Sequence, residues 1–335
     1  MQIDAILDTR AKPQALAELA VLAEAQGLGG IWVSSLNDSR DPYANLTLAA
    51  QATRRIALGP IAVNPFDTHP LKIAAAFLTL NEIAGGRARL VVGGGGEALE
   101  ALGIKPARRV RAVRECIEII QAAKTGAPVN HEGELYKVRN CRFGWLEAPQ
   151  PPVYAGAGQE QMLRMAAQAS DGIMMSDVPP GPARSVIAAL DTALAARRKT
   201  RPAFWTSVFT AWHVYDDLAE ARAEAKRWLL LRGIFRPWLL AEFLDPADVD
   251  LVMASRPAFA RAFVTGSDKV EGVRDSVLDA LVDHVTLCGT PRDIERIAEK
   301  LRALGAAGLG GVALRLYARP DASIRLISEH LSQLL

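Results

Sequence analysis

The chain has 335 residues, half of them hydrophobic, and its 39 basic side chains nearly balance 37 acidic ones for a net charge of +2. This composition excludes a disordered chain and gives no electrostatic reason to expect a nucleic-acid partner. Three scattered cysteines (Cys116, Cys141 and Cys288) exclude a disulfide framework, and five histidines without an HExxH pairing leave a metal site unsupported.

Strand and helix signals alternate almost from end to end. Ile3–Leu7 reads as a strand with no signal-like pattern before it, and no apolar run reaches membrane-spanning length. A cytoplasmic protein without membrane contact is therefore expected. A helix runs from Pro13 to Gly27, a second strand covers Gly30–Ser34, and another helix runs from Asp41–Pro42 to Thr53. The third and fourth strands, Ile56–Leu58 and Leu90–Val92, are short apolar runs of the kind buried in parallel sheets. Between them Leu71–Ala84 is in helical register and closes at Gly85–Gly86. A helix over Pro106–Lys124 carries Val110, Val113, Ile117 and Ile120 on one face, and His131–Trp145 reads as an irregular hairpin.

Val153–Ala155 is the fifth strand, followed by a helix over Gln159–Ala169, and Gly172–Met175 is the sixth. A helix over Pro182–Arg198 leads to a seventh strand, Ala203–Tyr215. Ala219–Pro257 is helical with a break at Arg236–Pro237, and the chain ends with Ile294–Leu304, a strand at Gly311–Leu316 and a helix over Ser323–Leu335. About eight strand–helix units point to an α/β TIM barrel with insertions, whose ligands bind at the carboxyl ends of the strands.

Two such strand ends lack bulky side chains. Gly93, Gly95 and Ala98 fit a GxGxxA dinucleotide pattern, although a plain barrel turn explains the glycines equally well. No strand ending in an acidic residue follows at the right distance, so a Rossmann NAD dehydrogenase is the weakest reading. Gly156–Ala157–Gly158 opens a helix whose amides and dipole suit a phosphate.

The order GPIAVNP…HP…AAAFLTLNEIAGGRARLVVGGGGEALEALGIKP, then VYAGAGQEQMLRMAAQASDGIMM, resembles the bacterial luciferase-like monooxygenase superfamily. Within it the chain looks most similar to coenzyme F420-dependent methylenetetrahydromethanopterin reductases. The resemblance spans nearly the whole chain, including DPYANLTLAAQATRRIALG and the late CGTPRDIERIAEKLRALGAAG. It implies one luciferase-like TIM-barrel domain over residues 1–335 with a helical insertion near 217–270. It also implies a homodimer that uses coenzyme F420, with FMN the alternative, and acts on a small-molecule substrate.

The resemblance further implies site residues. Ile61 and Ala62 would be joined by a non-prolyl cis peptide that bulges behind the cofactor ring, with Asn64 at the ring edge. Gly94 and Gly95 would lie against the cofactor, and Gly156, Ala157, Gly158 and Gln159 would grip its phosphate. Glu97 would be the catalytic acid, its pKa raised beside a buried ring; read from spacing alone, it is a carboxylate complementing a helix N-terminus.

One departure stands out. Where many deazaflavin relatives carry Asp–His after the second strand, this chain has Ser35–Leu36. Leu36 transfers no proton, which argues against sugar-phosphate dehydrogenation and favours hydride transfer by positioning. The expected function is F420-dependent hydride transfer with a small planar, pterin-linked substrate. The alternatives are an FMN-dependent monooxygenase and a cofactor-binding member without turnover. Arg108, Arg109, Arg111 and Arg114 crowd one helix, as a solvated face or as an attractor for a polyglutamylated tail or phosphorylated substrate. His69, Trp205, Trp212 and Trp238 read as packing residues before pocket residues.

Overall fold

The computed structural model describes residues 1–196 and 204–335, apart from the side chains of Glu97 and Ala98. Contacts divide the chain into two compact units, Gln2–Met174 with Ala188–Ser207, and Met175–Ile187 with Val208–Leu335. The fold class is α/β, a succession of parallel strands followed by helices, the TIM-barrel pattern expected from the sequence.

The first unit begins with β1 (Gln2–Leu7), α1 (Pro13–Ala25), β2 (Gly30–Ser34), α2 (Pro42–Ala52), β3 (Ala57–Ile61), α3 (Pro70–Ile83) and β4 (Leu90–Val92). It continues with α4 (Glu97–Ala101), α5 (Arg109–Ala123), the hairpin β5 (Val129–Glu132) and β6 (Lys137–Cys141), then β7 (Val153–Gly156), α6 (Glu160–Ala169) and β8 (Gly172–Ser176). Every residue of β2, β3 and β4 is buried, which is why their sequences are continuous apolar runs without alternation. Pro13, Pro42 and Pro70 each start a helix, where the missing N–H costs nothing. Asp41 caps α2 by accepting the Ala44 N–H at 2.8 Å.

Parallel register runs through β1, β2 and β3, with Asp4 opposite Gly30 and Ser34 opposite Ile61. Bridges at Leu58–Ala88 and Val63–Val92 join β3 to β4, and Val92 pairs with Ala155 of β7. The β3–β4 approach is unusually close at Gly59, where an added Cβ would sit 1.7 Å from the Arg89 carbonyl oxygen. The start of β3 is tied to α1 by Glu24, which accepts the backbone N–H groups of Arg54, Arg55 and Ile56. Burial alone would raise the Glu24 pKa, but these three donors outweigh it and hold the carboxyl down at about 2.

The second unit holds the first half of α7 (Pro180–Ala195) and most of β9 (Trp205–Val214), then α8 (Leu218–Arg227), α9 (Pro237–Leu240), α10 (Pro246–Ala254), α11 (Arg256–Thr265) and α12 (Asp275–Val285). It closes with β10 (Thr286–Gly289), α13 (Ile294–Ala306), β11 (Gly311–Leu316) and α14 (Pro320–Leu326). Its helices bury a common core that includes Leu229, Leu239, Phe259, Leu278 and Leu281. The strand expected over Ala203–Tyr215 is observed as β9, and the helix expected to reach Arg198 ends at Ala195; Arg198 and Ala203 lie outside the described residues. The expected closing helix ends at Leu326 and gives way to a wider turn over Ile327–Leu331.

β10 was not anticipated. It has four residues and follows α12 without a loop, so the apolar pattern of the helix runs straight into it. It pairs in parallel with β9, with Ala211 opposite Thr286 and Val214 opposite Gly289.

This unit also buries a polar cluster. Fully buried His213 bonds Glu224 through Nδ1 at 2.8 Å, Tyr215 donates its hydroxyl to the same carboxylate, and Tyr317 stacks on the imidazole at 4.7 Å. Asp177 meets buried Arg232 at 3.3 Å. Burial lowers the His213 pKa and holds the ring neutral, against the pull of Glu224. Burial would raise the Glu224 pKa, but the bonds from His213 and Tyr215 keep it below the usual range.

Two outcomes follow from this packing. Gly59→Ala is expected to destabilise the protein by about 3 kcal/mol, because a Cβ cannot share space with a backbone carbonyl. A urea midpoint equal to that of the wild type would refute the close approach. For His213, the unfolded state takes up a proton at higher pH than the folded state does. Stability is thus expected to fall as pH drops below about 6.5, by up to about 1.4 kcal/mol per pH unit. His213→Gln should flatten that slope in urea titrations, and an unchanged slope would assign it to other groups.

Candidate active site

The residues expected to hold a cofactor lie in the first unit, at the carboxyl ends of β3, β4 and β7, whereas Trp212 and Trp238 belong to the second. β3 ends at Ile61, and the Ile61–Ala62 peptide is cis. Ala62 is exposed although Ile61 and Val63 on either side are buried, so the bulge presents one methyl and bare backbone to open space. Pairing resumes immediately afterwards: Val63 N–H donates to Val91 O at 3.0 Å and Gly93 N–H to Val63 O at 2.8 Å. On the other side, Ser35 N–H donates to Ile61 O at 3.2 Å, so the Ser35–Leu36 segment borders the bulge directly.

Asn64 is turned inward on its own loop. Its Oδ1 accepts the N–H groups of Phe66 and Asp67, and its Nδ2 donates to Asp67 Oδ2 at 2.6 Å. One amide hydrogen is left for anything beyond the loop. The same loop is braced from the hairpin, where Tyr136 donates its hydroxyl to Pro65 O at 2.6 Å and packs edge-on against His69. His69 in turn caps α3 by accepting the Leu71 N–H. No periodicity or motif announces Tyr136, because its partner lies 71 residues away in the chain.

The glycines differ in what they are for. Gly95 has φ +70°, and an added Cβ would strike Leu99 at 2.2 Å, so the turn itself requires glycine there. At Gly93 an added Cβ would press on the Ala62 methyl at 3.1 Å, which binds the β4 exit to the bulge. Gly96 and Gly158 are different: an added Cβ would meet no atom within 4 Å, and neither has a left-handed φ. No neighbouring atom of the chain and no left-handed φ calls for glycine at either position.

Donors are available on the same surface. The N–H groups of Gly94, Gly95, Gly96, Gly158 and Gln159 have no acceptor among the described residues, and Gln159 leaves α6 uncapped. Ala157 is the exception: its N–H goes to Met174 O at 3.3 Å and its side chain is buried. Its amide serves the sheet. The two loops lie side by side, since an added Cβ at Gly156 would be 3.5 Å from Gly93 Cα. Glu97 opens the short helix α4 just beyond Gly96, and its side chain lies outside the described residues. Among the described residues no three His, Cys, Asp or Glu side chains come together as a metal site, and no helix is long and apolar enough to cross a membrane.

The chain is similar to known proteins in sequence and in fold. A family model described as luciferase-like monooxygenase covers residues 1–310. The chain is 32% identical over 313 residues to a 5,10-methylenetetrahydromethanopterin reductase of Archaeoglobus fulgidus, covering 92% of each chain. It is 26% identical to an F420-dependent glucose-6-phosphate dehydrogenase of Amycolatopsis mediterranei, covering 88% of this chain and 96% of the other. Among solved structures, coenzyme F420-dependent tetrahydromethanopterin reductase from Methanopyrus kandleri superposes with a TM-score of 0.81 at 20% identity, covering 99% of this chain and 98% of that one. An F420-dependent secondary alcohol dehydrogenase bound to an F420–acetone adduct gives 0.79 at 18% identity, covering 100% and 99%. With the barrel fold and the bulge-and-glycine site in place, the chain belongs to the luciferase-like monooxygenase family.

Proposed function

We propose that this protein is an F420-dependent oxidoreductase that transfers hydride between the deazaflavin and a small planar substrate. The observation that carries this reading is the bare cradle at Gly96 and Gly158, beside the exposed Ala62 bulge, where the chain gives glycine no structural duty. Those residues fit a flat ring with a phosphate-bearing tail. When bound, a deazaflavin supplies two electrons as hydride and resists oxygen.

The residues of the chain hold and orient. Ala62 would back the ring, while Gly94, Gly95 and Gly96 let it approach the backbone. Gly158 and Gln159 offer amides to the phosphate at the positive end of the α6 dipole. Tyr136 and Asn64 keep the Pro65 loop in place beneath the open face. With Leu36 unable to carry a proton, catalysis rests on fixing two rings at contact distance, and Glu97 is the one acid that our reading places at the ring. The named activities of the reductase relatives favour a pterin-linked one-carbon carrier as substrate. A cytoplasmic homodimer of single-domain subunits belongs to the same proposal.

Gly158→Val tests the cradle. The variant is expected to keep its unfolding free energy within about 0.5 kcal/mol of wild type in urea titrations, since the new side chain meets open space. Fluorescence-quenching titration should show F420 affinity falling at least about tenfold from lost backbone approach. Wild-type affinity in the stable variant would remove the cradle from the argument. Wild-type protein that prefers FMN to F420 would move the reading to an oxygen-dependent monooxygenase, and binding of neither would leave a member without turnover.

A further inference from the structure

The backbone ladder holds the chain as far as Val63, whose N–H goes to Val91 O, but it does not reach the peptide that joins Pro65 to Phe66. That peptide is clamped by side chains at both ends. Its carbonyl oxygen accepts the Tyr136 hydroxyl at 2.6 Å, and its N–H donates to Asn64 Oδ1 at 3.0 Å. Carbonyl and N–H belong to one rigid plane, so a rotation that frees the first from Tyr136 also swings the second away from Asn64. Buried Asn64 then keeps only its bonds with Asp67.

Tyr136 is itself fixed from two further directions. Its N–H donates to Glu115 Oε2 at 2.9 Å, and its ring meets His69 edge-on with centroids 5.7 Å apart. His69 is held in turn, because its Nδ1 accepts the Leu71 N–H at the start of α3. Burial would raise the Glu115 pKa, but the amides of Tyr136, Leu135 and Glu134 hold it below the usual carboxylate range. The anchor is therefore ionised near neutral pH. Tyr136 stands in neither strand of the hairpin but in the turn between them, where residues ordinarily vary freely. This one reaches 71 residues back along the chain to the candidate site.

We infer that Tyr136 is a positioning residue for the cofactor ring, acting through the 65–66 peptide on the amide of Asn64. The inference rests on the F420 reading above and adds to it the group that aims Asn64. Asn64 turns Oδ1 to two backbone amides and one Nδ2 hydrogen to Asp67, which sets the direction of its second Nδ2 hydrogen. A donor fixed in this way meets a carbonyl at the ring edge without further ordering. The turn between β5 and β6 thereby becomes part of the site, although its own side chain touches only the loop.

The test is a double-mutant cycle, with F420 titrated by fluorescence quenching into wild type, Tyr136→Phe, Asn64→Ala and the double variant. Tyr136→Phe keeps the ring against His69 and removes only the hydroxyl. Affinity is expected to fall about fivefold in Tyr136→Phe, about tenfold in Asn64→Ala, and no further when the two are combined. The visible absorption band of bound F420 should shift in Tyr136→Phe in the direction seen for Asn64→Ala. In the ligand-free protein, hydrogen exchange should quicken at Phe66 and Asp67 in Tyr136→Phe and stay as in wild type at Val63 and Gly93, whose amides belong to the ladder. Equal losses from Tyr136→Phe in both backgrounds would make the tyrosine an independent prop and overturn the inference. So would a Tyr136→Phe variant with wild-type affinity and absorption band, or with wild-type exchange at Phe66 and Asp67. Wild type that takes FMN and not F420 refutes the cofactor reading alone, and the same cycle run with FMN then decides the inference. Binding of neither cofactor refutes both.

Discussion

Everything at the site hangs on the continuation of β3 past its own end. The chain makes a cis turn at Ile61–Ala62 and then recovers the parallel ladder at once, through Val63 to Val91 and Gly93 to Val63. Those two bonds fix the bulge against the exit of β4, and β4 in turn carries β7 beside it. Three bare segments distant in sequence are thereby held as one surface. Because the ladder is backbone to backbone, the surface is set by register and needs no particular side chain to assemble it.

The strands of the first unit were legible because buried parallel strands leave unbroken apolar runs, and the helices because prolines and an aspartate mark their starts. β10 was not, since the pattern of α12 leads into it without punctuation. The candidate site was legible as positions that the strand ends bring together, but not as a set of duties. A run of glycines looks alike in sequence, yet Gly95 serves a turn, Gly93 makes room for Ala62, and Gly96 serves neither. Asn64, expected at a ring edge, uses most of its amide on its own loop, and the Ala157 N–H belongs to the sheet. Such assignments depend on neighbours brought in by folding.

The two units also divide their polar chemistry in contrasting ways. The first keeps the cationic groove at the start of α5 and its open amides at the surface. The second buries His213, Asp177 and Arg232 and sets half-buried Glu224 against the imidazole, so that each charge is met by a partner. Buried polar networks of this kind are sensitive to the loss of any member, because the group left behind has no water to turn to. One unit offers recognition at its surface, while the other stores its polarity in its interior.

The hairpin β5–β6 is anchored in an unusual manner. Glu115, buried in α5, accepts three consecutive backbone amides at residues 134–136, and Gly133 leaves the room it needs, since a Cβ there would fall 2.3 Å from the carboxylate. A carboxylate that grips amides is indifferent to the side chains those amides carry. Apart from Gly133 and the Tyr136 that braces the Pro65 loop, the hairpin tip can drift in sequence while its attachment point stays put. The hairpin is in that sense a replaceable part, held through one carboxylate and free to change at its tip without disturbing the helix it rests on.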